Sequence, residues 1–331
     1  MKLTLPIHNL VMSDVRKMVK SDLNRVNMML QRAFTQGRVD DGYQHTHVPM
    51  CCVDFLEMYH SSCPDGCCVI EHGGKIVAAA FCHVWGQIGW IGPLAVLPEN
   101  QLLGIGKRIA HCAIEFLKNS SCTTIGLETN PRSIRNLGFY SKLGFLPSTL
   151  VVDMIRRVPQ NPPPPAWDRE RILTYSQCSP AEQAKFLEDV RQLVSLTDAR
   201  IHYDPLIQSI ALYHYGDSVL IYRNDVPVVY TTMQYLPSSS EEKQSILRLL
   251  SLVAHPKTPD VYLHKIMALL ETISHAQPFG QILWRIPIKC LRIYQYLLGQ
   301  GFRIIHSDLR MVLQGYPEVL HSQMIHVDRW V

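Results

Sequence analysis

Five prolines occupy seven residues in Pro159-Gln160-Asn161-Pro162-Pro163-Pro164-Pro165, and no other stretch restricts the backbone as severely. Proline fixes φ and supplies no amide proton, so the run can be neither helix nor central strand and favours stiff polyproline II. Residues 159–166 therefore read as a linker that leaves 1–158 before it and 167–331 after it. Each part has the size of one domain, about 150 residues. At 47% hydrophobic and 18% charged residues the chain can fill two cores and is not disordered by composition. No run approaches the roughly 18 apolar residues of a bilayer span, so no membrane partner is expected. Pro6, His8 and Asn9 break any apolar leader, which makes the cytoplasm the expected compartment. Ten cysteines in 331 residues are too few for a disulfide scaffold, and free thiols are expected. A net charge of +4 without Lys/Arg runs gives no nucleic-acid footprint.

Before the linker, residues 15–19 form a short strand pattern. Ser21-Asp22 then offers an N-cap to a helix striped with Leu23, Val26, Met29/Leu30 and Ala33/Phe34. A polar loop over 37–48 leads to a short helix around 53–59 and to two strands, 67–71 and 75–85, hinged at His72-Gly73-Gly74. Another strand follows at 90–96, then a helix over 101–118 with Ile105, Ile109, Cys112/Ala113 and Phe116 at helical spacing, a strand at 123–128, a helix at 133–143 stopped by Gly144, and a strand at 148–155. The order β-α-α-β-β-β-α-β-α-β predicts an α/β (α+β) fold, a twisted mixed central sheet flanked by helices.

The part after the linker reads as a degraded second copy. Residues 218–222 and 226–235 make a hairpin pattern, 245–253 a strand, 264–274 a helix, 281–286 a strand, 291–298 a helix and 303–313 a strand. Tyr140-Ser141-Lys142-Leu143-Gly144-Phe145 parallels Leu297-Leu298-Gly299-Gln300-Gly301-Phe302 at the corresponding place. Two repeats of one fold are expected.

The segment Val96-Leu97-Pro98-Glu99-Asn100-Gln101-Leu102-Leu103-Gly104-Ile105-Gly106-Lys107 joins a strand end to a helix start. There successive amides can converge on a pyrophosphate, the helix dipole favours the anion, and two glycines let it approach without a Cβ in the way. Downstream, Asn136-Leu137-Gly138-Phe139-Tyr140-Ser141-Lys142-Leu143-Gly144-Phe145 reads by itself as a helix closed by a glycine. Taken together, the two segments resemble the GNAT superfamily of acetyl-CoA-dependent acyltransferases, with its Q/R-x-x-G-x-G/A loop and a later helical Tyr shortly before Gly-Phe. The resemblance covers residues 11–157.

The resemblance implies an N-acetyltransferase that uses acetyl-CoA as co-substrate and no metal, and acts on a primary amine of a small molecule or peptide by direct transfer. Gln101, Leu102, Leu103, Gly104, Ile105, Gly106 and Lys107 would hold the pyrophosphate. Leu94, Ala95 and Val96 would meet the pantetheine arm through backbone groups, as a peptide adds to a strand edge. Asn136 and Phe139 would complete the cofactor site, and Tyr140 would be the acid to the leaving thiolate, since a tyrosine stays protonated at neutral pH. Ser133 stands where relatives often have Asn, and strand 90–96 lacks the carboxylate many of them use as base. The base is open among Glu128, His83, Asp40 and Asp41.

The polar loop Asp40-Asp41-Gly42-Tyr43-Gln44-His45-Thr46-His47-Val48 is expected either to overlie the acceptor or to be an ordinary solvated loop. Cys63, Cys67 and Cys68 have no paired knuckle spacing, so buried thiols are expected rather than zinc. In the second copy, aligning Pro98 with Pro256 sets Pro259, Tyr262 and His264 opposite Gln101, Gly104 and Gly106, and Leu297 falls opposite Tyr140, so no cofactor site is expected there. A non-catalytic acyl-CoA sensor is the competing reading of the whole chain.

Overall fold

The computed structural model describes residues 14–161, 167, 169–242, 245–277, 279–320, 322 and 324–328. Most of the proline run, 162–166, lies outside the described residues. The first half runs β1 (Val15–Lys17), α1 (Leu23–Asp40), α2 (Val53–Ser62), β2 (Cys68–His72), β3 (Lys75–Trp85), β4 (Ile88–Val96), α3 (Ile105–Asn119), β5 (Thr124–Thr129), α4 (Ile134–Lys142) and β6 (Phe145–Arg157). The second half repeats that order as β7 (Glu170–Thr174), α5 (Pro180–Asp198), α6 (Asp204–Leu212), β8 (Gly216–Arg223), β9 (Val226–Gln234), β10 (Ile246–Ala254), α7 (Val261–Ala276), β11 (Gln281–Pro287), α8 (Leu291–Gly299) and β12 (Arg303–Leu313). It then adds a closing strand, β13 (His326–Asp328).

The helix stripe of α1 is buried as its spacing predicts, with Leu23, Val26, Met29, Leu30 and Ala33 in the core and Phe34 left exposed. Asp22 precedes this helix, but its buried carboxylate accepts from the Val19 amide and pairs with Arg16 and Arg25 rather than capping the first turn. The helix also runs on to Asp40, so the expected loop begins at Asp41. At the β2–β3 hairpin Gly73 and Gly74 both take positive φ, 57° and 75°, as a tight turn of this hand requires.

The strands form one continuous sheet in the order β1-β2-β3-β4-β5-β12-β6-β11-β10-β9-β8-β7, with β13 added on β10. Each repeat thus gives its last strand to the other: β12 pairs with β5 of the first repeat and β6 with β11 of the second. The two exchanged strands lie antiparallel against each other, from Phe145↔Leu313 at one end to Ile155↔Arg303 at the other. Helices cover the sheet, and cores form within each repeat and between them, the last joining Trp85, Ile88 and Trp90 to Phe186, Tyr203, Tyr222 and Tyr230.

Candidate active site

The first repeat contains a fork in its sheet. β4 pairs in parallel with β5 only from Ile88↔Thr124 to Ile91↔Leu127, whereas β5 keeps β12 on its other edge from Gly126↔Val312 through to Thr129↔Leu309. From Gly92 onward β4 keeps its antiparallel partner β3 on one side, while no strand pairs with its other side among the described residues. The Leu97 amide donates to the Val77 carbonyl at 2.9 Å. Alternation along the strand therefore points Ala95 toward β3 and the amides of Leu94 and Val96 into the fork.

The chain leaves this strand over Leu97 and turns at Pro98–Asn100. Gln101 closes the turn by donating from Nε2 to the Val96 carbonyl at 3.0 Å, while its Oε1 accepts from Arg135 at 2.8 Å. Leu102 and Gly104 adopt left-handed φ of 64° and 79°, and a Cβ placed on Gly104 would meet nothing within 4 Å. The first ladder bond of α3 runs from the Arg108 amide to the Gly104 carbonyl. The amides of residues 102–107 consequently have no acceptor among the described residues, and they gather at the positive end of a 15-residue helix. Lys107 is exposed beside them and joins no ion pair among the described residues. Such a run of donors suits an anion.

Phe139 supports this loop from below: a Cβ at Gly106 would lie 3.5 Å from its ring and 3.7 Å from Val96. Asn136 does not reach the loop; its Nδ2 lies 3.4 Å from Thr129 Oγ1, on the opposite arm of the fork. Ser133 Oγ is buried without a hydrogen-bond partner among the described residues. Tyr140, on the same helix, packs its ring against the first core with Phe145 at 6.0 Å. Its hydroxyl has no hydrogen-bond partner among the described residues, and burial pushes its pKa up to about 12.

Glu128 sits among cations. Its Oε2 accepts from Arg285 Nε and Nη2 at 2.9 and 2.5 Å, and its Oε1 from Arg310 Nε and Nη2 at 3.0 and 2.8 Å. Burial by itself would raise the pKa, but the two guanidiniums prevail and hold the carboxylate below its ordinary range. A carboxylate so depressed, with both oxygens saturated, has little basicity to offer an amine, so this geometry argues against Glu128 as the base. Asp40 is paired with Arg135 at 3.0 Å, and Asp41 accepts from Asn130 at 2.8 Å. Tyr43 donates to Asn130 at 3.0 Å beneath the guanidinium of Arg132. The loop after α1 is thus clamped onto the β5–α4 connection. Asp40 at the end of α1 and Asp41 after it are held in structural contacts, and Arg135 is the charge in the sequence that answers Asp40.

Residues 29–145 match the family model described as "Acetyltransferase (GNAT) family". This stretch is a GNAT acetyltransferase domain. No curated protein matches the sequence. Among solved structures, the fold resembles a putative acetyltransferase from Pyrococcus horikoshii at TM-score 0.65 and 14% identity, covering 100% of this chain and 98% of that one. It also resembles a tandem GNAT protein from the clavulanic acid biosynthesis pathway at TM-score 0.60 and 12% identity, covering 92% and 99%. A GCN5-related N-acetyltransferase from Sphaerobacter thermophilus matches at TM-score 0.59 and 12% identity, covering 94% and 98%.

Outside the GNAT domain match, the second repeat has the same fork with different contents. β10 pairs with β11 only from Ile246↔Gln281 to Leu249↔Trp284. The freed edge is then taken by the chain's own β13, through Ser251↔Asp328, Leu252↔Val327 and Val253↔His326, and by the Ala254 amide donating to the Ile325 carbonyl. Leu252 precedes Pro256 by the spacing that separates Leu94 from Pro98, so β13 lies where the fork of the GNAT domain is open. The connection into α7 is also two residues shorter, because α7 starts at Val261. This corrects the expected register: Asp260, not Tyr262, falls opposite Gly104, and Tyr262 opposite Gly106. Asp260 brings a carboxylate, paired with Arg292, to that helix start. Leu297, opposite Tyr140, is fully buried. Among the described residues, no group of three or more His, Cys, Asp or Glu could hold a metal ion, and no helix is long and apolar enough to cross a membrane.

Proposed function

We propose that the GNAT domain transfers the acetyl group of acetyl-CoA directly to a primary amine of a small molecule or peptide. In this reading residues 1–158 are the catalytic unit, 159–166 the linker and 167–331 a degenerate copy without a cofactor site. The observation that carries it is the set of amides at residues 102–107 that have no acceptor among the described residues, beside a strand edge that none of those residues pairs with. Those amides with Lys107 would bind the pyrophosphate, and the backbone groups of Leu94 and Val96 would engage the pantetheine amides as a neighbouring strand would. Ala95 and Phe139 would support that surface from behind.

The amine nitrogen would attack the thioester carbonyl, forming the C–N bond as the C–S bond breaks. Tyr140 would donate its hydroxyl proton to the departing sulfur, and the proton lost by the amine would pass to solvent water, which restores Tyr140. A hydroxyl with no competing partner and a raised pKa keeps its proton throughout the neutral range, which suits that task. The test is release of CoA thiol from acetyl-CoA by the purified chain across a panel of amines, amino acids, polyamines, aminoglycosides and peptides. Release that depends on an amine and disappears in Gly104→Val is the expected result. Tight acetyl-CoA binding with no release against any acceptor would favour a sensor instead.

A further inference from the structure

A cleft of about 650 Å³, including its open mouth, lies between α2 of the first repeat and α6 of the second. Phe55, Met58, Tyr59 and Ser62 form one wall, Pro205, Leu206 and Ser209 face them, and His83, Val84, Trp85, Gln234 and Leu250 make the floor. None of these residues is Asp, Glu, Lys or Arg. An ammonium ion moved into such a lining without a carboxylate would carry a large desolvation cost, so the cleft favours a neutral amine on an apolar group. Its aromatic walls suit a flat hydrocarbon body.

Two polar groups on the floor are short of donors. His83 is buried, its ring held edge-on by Tyr59 at 4.7 Å and stacked on Trp85 at 5.5 Å. Its Nε2 lies 2.9 Å from the Gly92 carbonyl, which can only accept, so Nε2 carries the hydrogen and Nδ1 the lone pair. Burial lowers its pKa to about 4, which keeps the ring neutral at physiological pH. Gln234 uses Nε2 to donate to the Leu236 carbonyl at 2.7 Å and to Ser238 Oγ at 2.8 Å. Neither His83 Nδ1 nor Gln234 Oε1 has a hydrogen-bond partner among the described residues. Gly92 is also the first residue of β4 beyond its pairing with β5, so the imidazole at the floor of the cleft is tied to the apex of the fork.

We propose that this cleft binds the acceptor, and that it selects an amine borne on an apolar aromatic or aliphatic group and takes it as the free base, with His83 Nδ1 and Gln234 Oε1 receiving its N–H donors. The proposal rests on the acyl-transfer reading above and assigns the second repeat half of the acceptor site. The experiment uses the full chain. Acetyl-CoA affinity is measured by calorimetry, and acetyl transfer is compared for 2-phenylethylamine, spermidine and glucosamine in the wild type, Leu206→Trp and Ser62→Trp. Ser62 is exposed at the end of α2, so its variant folds even where the other does not.

The expected result is a kcat/KM for 2-phenylethylamine at least tenfold above those of spermidine and glucosamine. Either tryptophan should lower it at least tenfold and leave acetyl-CoA affinity within twofold. Equal or better use of the two polar amines, indifference to both tryptophans, or acetyl-CoA binding without transfer to 2-phenylethylamine would overturn the proposal. Failure to bind acetyl-CoA at all would instead overturn the reading on which it rests.

Discussion

Tyr140, half-buried against the first core, and Glu128, enclosed at the strand exchange, are both titratable, and their surroundings direct them to different uses. Burial stabilises the neutral phenol of Tyr140, so Tyr140→Phe removes a donor and almost no volume. The expected outcome is a fall in kcat of roughly a hundredfold with little change in the acetyl-CoA dissociation constant, measured by steady-state kinetics and calorimetry. For Glu128 the arginines stabilise the charged form, so its contribution to stability is complete above the ordinary glutamate pKa of 4.5 and is lost as pH falls through the lowered value. Glu128→Gln removes the carboxylate that Arg285 and Arg310 share, while Asp153 and Asp308 stay on Arg285 and Glu318 on Arg310, so it should cost about 1–3 kcal/mol of folding stability. Denaturant unfolding against pH should also show less acid sensitivity in the variant than in the wild type. Turnover per folded molecule should persist; its loss in a fully folded variant would restore Glu128 to the chemistry.

At the scale of elements, the two forks differ in what fills them. Gly104 sits at φ 79° before α3, where a β-branched side chain is strained, so Gly104→Val should weaken acetyl-CoA binding at least tenfold while the melting temperature falls by only about 2–4 °C. In the second fork Ile325 and Val327 are buried by β13. Removing residues 325–331 should lower stability by about 3–6 kcal/mol, at roughly 1.5–3 kcal/mol for each buried aliphatic side chain, without opening a second cofactor site, because no glycine precedes α7. A thermal melt and a calorimetric titration on the truncated chain check both statements. The first repeat was legible because its strands are long apolar runs punctuated by glycine pairs. α5 went unread although Ser179-Pro180-Ala181-Glu182 carries the signal for its start, a capping box with proline at the first position. β13 has only three residues, and its place comes from a long-range edge that no local pattern reveals.

Across the whole molecule, the proline run suggests two separate bodies, whereas the sheet passes through both. Glu128 and Arg285 each stand sixteen residues before the glycine that follows the next helix of their repeat, Gly144 after α4 and Gly301 after α8, and Asp153 and Arg310 each stand nine after it. At these equivalent positions the charges are opposite, and they meet across the exchanged strands as Glu128–Arg285, Glu128–Arg310 and Asp153–Arg285. The charge reversal was present in the sequence, but its meaning depends on the strand exchange, which motif spacing does not disclose. The exchange binds the repeats into one sheet while their forks remain unlike, one open beside free amides and one closed by β13. Calorimetric titration of acetyl-CoA into the full chain tests this account most directly: it predicts one site per chain, lost in Gly104→Val and kept in Tyr262→Phe, whereas two sites per chain, or a single site indifferent to Gly104→Val, would contradict it.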